Sequence, residues 1–597
     1  MRYGNLCSRK GTTFIDLVIS MGIIAVLFGA IFSVYFSILV SVNNIEIRTA
    51  AAELLSQQVE IVRNLPYGSV GTVGGVPAGI IPQQQTISIG NFSFVIQTNV
   101  RNIDDPFDGT LGGNPNDTAP SDYKLLTLTA SCPWCVNFVP LSITTTAAPK
   151  NLESAGLSGD IFINVIDSGW ATGLPAGIPY VSVRITNSQV APSIDFTDTT
   201  NASGVLQLVG VPTSTLSYHV VVTKNDYTSD QTYPAGGEGN PNPKLKDATV
   251  SEQTVTGLTF VIDKTSQVNV STKNNTCGAV GNVNFSVLGS KTIGTDPTVY
   301  KFSTSSATNA SGTFTFSNME WDTYEFSLNQ PSYDLVGTMP LTPVTINPSS
   351  TVDFRFVVQV AANPAFLVTV VDAASGAGVQ NASVNISKTG FSETQITGRA
   401  DMVQTNWSGG QYSSQDGGID ATSNPGSLEL LKNASGTYDT SITHWLISTT
   451  IDLGSSSSTL YSLSWNPASQ PPSTGPASIE FQLAANNDNA TWNFVGPDGT
   501  PNTYYTSTST LNGIFDGNRY LRYMVYMSTQ DTNMSPRLDD VSVEFGTSCV
   551  PPAQTLFTNL PQGTYAIDVT AANYNEETST ASVGAGFNQI TLPITHL

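Results

Sequence analysis

Four groups of residues carry side chains from which chemistry or binding is built. Cys132 and Cys135 flank Pro133 and Trp134, the spacing of a redox dithiol or of a local disulfide. Asp104, Asp105 and Asp108 bunch together in Asn102-Ile103-Asp104-Asp105-Pro106-Phe107-Asp108-Gly109. Their hard oxygens suit a calcium ion, while Asp-Pro and Asp-Gly account for the same letters as a plain turn. Trp492, Tyr520 and Tyr526 offer ring faces on which a sugar can stack, although aromatic residues in strands more often fill cores. Asp16 is a single carboxylate at the front of a segment, Leu17 to Val42, that has no charged residue at all.

No signature of catalysis accompanies these groups. The chain lacks a Gly-x-Ser-x-Gly elbow, a His-Glu-x-x-His helix, a phosphate loop and a dinucleotide fingerprint. Its three histidines, His219, His444 and His596, are too scattered to complete a zinc site with the Cys pair. The reading is therefore that the protein is not an enzyme and has no cofactor, calcium excepted. A formal charge of −22 with only 11% charged residues argues against nucleic acid, whose backbone demands clustered Lys and Arg. Ser, Thr, Asn and Gly dominate instead, as on extracellular all-β modules.

The element that must position Asp16 is a membrane helix. About 20 apolar residues cross a bilayer, and Leu17–Val42 exceeds that. Arg2, Arg9 and Lys10 precede the segment, so the N-terminus is expected in the cytoplasm and everything after Val42 outside. A carboxylate in such a helix costs roughly 2.5–3.5 kcal/mol on insertion scales, so Asp16 needs either a partner or hydration at the interface. Strong helix formers continue through Glu46-Ile47-Arg48 to Arg63-Asn64, with Leu55, Val59 and Val62 on one face, and Pro66 closes the run.

A short basic leader ending at Gly11, then Thr12-Thr13-Phe14-Ile15-Asp16 and an apolar helix, resembles the type IV prepilin and pseudopilin family. That resemblance implies cleavage by a prepilin peptidase between Gly11 and Thr12, methylation of the new amino terminus, and pairing of Asp16 with the Thr12 amine of a neighbouring subunit. Two letters depart from the usual pattern: Thr12 stands for Phe or Met, and Asp16 for Glu. The leader is residues 1–11, the membrane and stalk helix 12–65, and a small pilin-like β head 66–147. Strands of the head are expected in Thr86–Ile89, Phe92–Thr98 and Lys124–Thr129.

Beyond the head a repeat emerges. Asn201-Ala202-Ser203-Gly204 recurs as Asn309-Ala310-Ser311-Gly312, and the pairs Tyr218 and Tyr227, Tyr324 and Tyr333, and Tyr565 and Tyr574 share one spacing. With the similar openings Phe162–Asp167 and Phe366–Asp372, these units resemble carboxypeptidase regulatory-like domains, transthyretin-like β-sandwiches that space or bind. Three are expected, at 148–264, 265–360, and 361–389 joined to 549–597. The intervening 390–548 is too long for a loop in a compact domain. Its strand signals, such as Ile479–Leu483 and Tyr520–Met527, read as an inserted jelly-roll-like sandwich. On Tyr520–Met527, alternation sets Tyr520, Arg522, Met524 and Tyr526 on one face.

The fold class expected is thus mainly β: a long N-terminal transmembrane α-helix with a pilin-like β head, then an array of Ig- or transthyretin-like sandwiches carrying a jelly-roll-like insert. If Cys7 leaves with the leader, Cys132, Cys135, Cys277 and Cys549 remain in an oxidising compartment. A structural Cys132–Cys135 disulfide is favoured over redox catalysis, because no βαβ pattern surrounds it; the pairing of Cys277 with Cys549 stays open. Two functions are compatible. One is a minor pilin or pseudopilin that displays the array for adhesion, with membrane, prepilin peptidase, other pilin or pseudopilin subunits and a carbohydrate or cell-surface ligand as partners. The other is a membrane-anchored surface protein or type II secretion-related pseudopilin whose sandwiches are spacers.

Overall fold

The computed structural model describes residues 14–135, 137–150, 157–423 and 426–597. Gly11 and Thr12 lie outside the described residues, as does the side chain of Asp16. One helix, Phe14–Arg63, runs unbroken for 50 residues. The other helices among the described residues are single 3-10 turns.

That helix has two halves with different surroundings. Every large apolar side chain described between Phe14 and Val42 is exposed, and this stretch is long and apolar enough to cross a membrane. Further along, Ile47, Ala51, Leu54, Leu55, Val59 and Val62 recur on one helical face and are buried against Phe94, Ile96, Val100, Leu126, Leu128 and Ala130. Each large side chain so buried contributes roughly 1.5–3 kcal/mol. The packing partner is a four-stranded antiparallel meander, Gln84–Ile89, Phe92–Ile103, Tyr123–Ser131 and Leu141–Ala147. After Pro66 the chain makes one 3-10 turn. The buried ammonium of Lys124 holds that turn by donating to the carbonyls of Tyr67 (2.9 Å) and Val70 (2.6 Å).

The rest is β. Three sandwiches each pair their first and last long strands in parallel: Ser158–Ile166 with Val255–Val261, Ser266–Lys273 with Thr351–Val360, and Ala365–Asp372 with Phe587–Ile594. In each, a second, antiparallel sheet closes the core. The repeated letters now have physical reasons. Tyr218, Tyr324 and Tyr565 are fully buried, and each hydroxyl donates back to a backbone carbonyl upstream, of Pro212 (2.5 Å), Glu320 (2.8 Å) and Pro561 (2.5 Å). This is the tyrosine-corner device, which pins the strand to the preceding turn. The Asn201 and Asn309 carboxamides each accept two N–H groups of their own turn, and Gly204 and Gly312 take the positive φ that the turn requires.

The insert departs from its sequence boundary at one end. Phe391–Ile396, assigned to it by sequence, pairs antiparallel with Ser383–Lys388 and completes a sheet of the third sandwich. The sheets of the insert begin with Ala400–Gln404. One of them joins Ala400–Gln404, Asp540–Gly546, Thr459–Asn466 and Ser509–Thr510. The facing sheet contains Tyr412–Gln415, His444–Ser448, Tyr520–Met527 and Ile479–Asn486. Between them lies the largest core, where the buried Trp407 donates to the Tyr523 hydroxyl (2.6 Å) and Tyr523 donates to Gln404 (2.6 Å).

The chain divides into two compact units, Met1–Lys264 with Ile293–Val299, and Thr265–Thr292 with Tyr300–Leu597. In the first, the meander is tied to the sandwich that follows it. Arg101 grips the buried Asp198 with Nε (2.6 Å) and a second nitrogen, and Asn99 donates to the same carboxylate (2.5 Å). In the second unit, the Cys277–Cys549 disulfide joins the second sandwich to the segment that leaves the insert. Arg355 donates to the Ser548 carbonyl beside it (2.8 Å).

Candidate functional site

The strand Tyr520–Met527 alternates as strand geometry demands. Leu521, Tyr523, Val525 and Met527 are buried in the core of the insert, while Tyr520, Arg522, Met524 and Tyr526 point the other way and are half-buried. Register brings Asn486, Ala484, Gln482 and Glu480 beside these four from one neighbouring strand, and Trp445 beside Tyr526 from the other. This outward face gathers the aromatic candidates. The Arg522 guanidinium lies 4.3 Å from the centre of the Trp492 ring and is fixed from behind by Thr450 Oγ1 (2.8 and 3.0 Å). Arg519 covers Tyr520 at 5.1 Å.

Tyr526 is held more tightly. Its hydroxyl donates to Gln482 Oε1 (2.9 Å), and Tyr504 meets its ring edge-on at 5.0 Å. Burial, together with the neighbouring Tyr504 and Glu480, pushes the phenol up to about 12, so it remains a neutral donor. Rings braced by a cation and by fixed hydrogen bonds lose little rotamer freedom on meeting a ligand. Such a face can stack on an apolar ring surface, while the Tyr526 proton is engaged by Gln482. Sequence reasoning overlooked Trp445 and Tyr504. For Trp445 the signal was present, since it precedes the buried Leu446 in an alternating strand.

The acidic residues fall elsewhere, in the loop that joins Phe92–Ile103 to Tyr123–Ser131. Asp105 serves its own turn: its carboxylate accepts from Phe107 N (3.2 Å), and its N–H donates to Asp122. Asp104 Oδ2 accepts from Leu111 N (2.9 Å). Asp108 lies instead with Asp117 and Asp122, one oxygen of each within 4.8 Å of the others. The loop is therefore a turn around Asp105 and, apart from it, a gathering of carboxylates that includes only Asp108 of the three residues singled out in the sequence.

Cys132 and Cys135 form a disulfide across a tight turn, closed by a Cys135 N–H to Cys132 carbonyl bond of 3.1 Å. It leaves the end of an antiparallel strand and packs on the meander core, while Trp134 stands exposed. This placement gives the pair a structural setting.

No family model matches the chain, and no curated protein does. Among solved structures it is similar to the Bacillus anthracis TIE protein, at 10% identity over 86% of this chain and 73% of that one, with a TM-score of 0.15. It is also similar to the minor pilin of Streptococcus agalactiae, at 13% identity over 35% of this chain and 98% of that one, with a TM-score of 0.18. A streptococcal ancillary pilin gives 11% identity over 74% and 99% of the two chains and a TM-score of 0.15.

Proposed function

We propose that the chain is a pilin-like, membrane-anchored subunit that displays a β-sandwich array on the outside of the cell for adhesion. In this reading a prepilin peptidase cuts between Gly11 and Thr12 and methylates the new terminus, and the helix then joins those of other pilin or pseudopilin subunits. The carrying observation is the division of Phe14–Arg63 into a bare half and a packed half. Exposed apolar side chains from Phe14 to Val42 need lipid before assembly, and lipid or like helices afterwards. The packed half fixes the rod to its head, so that the head moves wherever the rod is carried. Asp16, at the front of the bare half, would pair with the Thr12 amine of a neighbour and set the stagger between subunits.

The ligand surface in this account is the outward face of the insert, with Trp492, Tyr520 and Tyr526 stacking on a carbohydrate or another cell-surface ligand. Asp16→Ala tests the assembly role: membrane insertion is expected to persist while the subunit vanishes from sheared surface filaments. Unchanged incorporation would remove the pairing role. The alternative, in which the sandwiches are spacers of a surface protein or secretion-related pseudopilin, draws on the Cys277–Cys549 lock, since a spacer profits from stiffness. Retention of the protein in the membrane fraction, with silence on a glycan array, would favour that alternative.

A further inference from the structure

The outward face of the insert carries a cation that no carboxylate among the described residues neutralises. Arg522 stands half-buried on Tyr520–Met527, and its hydrogen bonds run to hydroxyls alone. Its Nε and Nη2 donate to Thr450 Oγ1 (3.0 and 2.8 Å), and its Nη1 donates to Ser413 Oγ (3.2 Å). Thr450 in turn donates to Asn489 Oδ1 (3.0 Å), so its hydroxyl is fully used in holding the guanidinium in place. The other arginines of the insert are treated differently: Arg519 is paired with Asp452 (2.8 Å) and Arg537 with Asp539 (2.6 Å).

In a chain of formal charge −22, carboxylates are plentiful, and an arginine left with neutral partners stands out. A guanidinium that gives up water for hydroxyls recovers less than one that meets a carboxylate. Of its N–H donors, one on each terminal nitrogen is still without a partner among the described residues. The surroundings say what kind of anion fits. The Trp492 ring lies 4.3 Å from the guanidinium, and Tyr520 precedes it on the same face of the strand. Such rings take the apolar face of a sugar, and a cation beside them takes a charged group at the sugar's edge. Asp452, which faces Tyr520, is neutralised by Arg519 and so does not repel an anion there. Glu480 lies opposite Tyr526, about 13 Å along the strand from Arg522, which is beyond the screening length of about 8 Å at physiological salt. The Arg522 end of the face is therefore the cationic one.

We infer that this face binds a carbohydrate bearing a carboxylate, a uronic or sialic acid, with the acid group on Arg522 and the sugar ring on Trp492 and Tyr520. A planar guanidinium matches a planar carboxylate, and Thr450 holds it in position without cancelling its charge. The inference rests on the glycan-binding reading of the same face and adds to it the class of sugar.

Biolayer interferometry of the full chain in non-ionic detergent tests it on paired surfaces: polygalacturonate beside its carboxyl-reduced polymer, and sialyllactose beside lactose. The parent is expected to prefer the acidic member of at least one pair by about tenfold or more. Arg522→Gln is expected to lose that preference while keeping its affinity for the neutral member, and Trp492→Ala to weaken both members alike. A merely structural role for Arg522 would move the thermal midpoint and leave the ratio of acidic to neutral binding as it was. Should Arg522→Gln misfold, Arg522→Lys keeps the charge but not the planar fork, and its ratio is expected to fall below that of the parent. Equal affinity of the parent for acidic and neutral members overturns the inference and leaves the glycan reading standing, whereas binding to no member of either pair overturns both. A ratio undiminished in the Arg522 variants, or dextran sulfate held as tightly as polygalacturonate, overturns the carboxylate assignment.

Discussion

The two compact units fasten their modules by different means. Between head and first sandwich the bonds are ionic and polar: the Arg101 grip on Asp198, and the Asn102 amide donating to the Val209 carbonyl at 2.9 Å. Among the second sandwich, the insert and the third sandwich the fastening includes a disulfide, the Arg355 bond to the Ser548 carbonyl and a buried amide. Gln554 accepts from Thr338 N (2.7 Å) with one end of its side chain and donates to Thr369 (3.0 Å) with the other. The first joint rests on a buried ion pair, and the second includes a covalent bridge.

The largest effect should come from Arg101→Ala. It leaves Asp198, whose side chain is 1% exposed, without its guanidinium, and such losses cost about 3–5 kcal/mol. Chemical denaturation should show the first unit unfolding earlier, with partial recovery in Arg101→Ala with Asp198→Asn. Replacing Cys277 and Cys549 together by Ser should lower the second unit by about 2–4 kcal/mol, since the bridge closes a loop of 272 residues. Reductant on a Cys132→Ser, Cys135→Ser background should reproduce that shift and leave the first unit as it was. If either variant destabilised both units equally, the contrast between the joints would dissolve.

Smaller changes sharpen the same contrast. Gln554→Ala strands the N–H of Thr338 in the interior and should cost about 1–3 kcal/mol in the second unit, read from its thermal midpoint. Tyr565→Phe removes one hydroxyl bond at a corner and should cost about 1 kcal/mol. Trp492→Ala should scarcely change either midpoint, losing about 0.5–1 kcal/mol from its contact with Arg522 while weakening retention on any glycan that the parent binds.

Local patterns in the sequence were legible where local physics produces them. Hydropathy and helical spacing disclose both halves of Phe14–Arg63, and alternation assigns the two faces of Tyr520–Met527 correctly. The tyrosine spacing was visible, but the reason for it was not, because a hydroxyl reaching back to Pro212, Glu320 or Pro561 is a tertiary fact. Asn433-Ala434-Ser435-Gly436 shows the limit of motif reading. It makes the same Asn-centred turn, accepting from Ser435 and Thr437, yet it sits inside the insert rather than in a repeat. The motif encodes a turn, not a module. Phe391–Ile396 was misassigned because the insert enters after a hairpin is complete, and no letter marks that point.

The central claim is that a rod freed at its front end carries these modules outward, and intact-mass and N-terminal mass spectrometry of the protein purified from its own membrane addresses it most directly. The account predicts a chain that begins at an N-methylated Thr12 and retains the whole helix. A chain that still begins at Met1, or one that has lost everything up to the region of Val42, would contradict it.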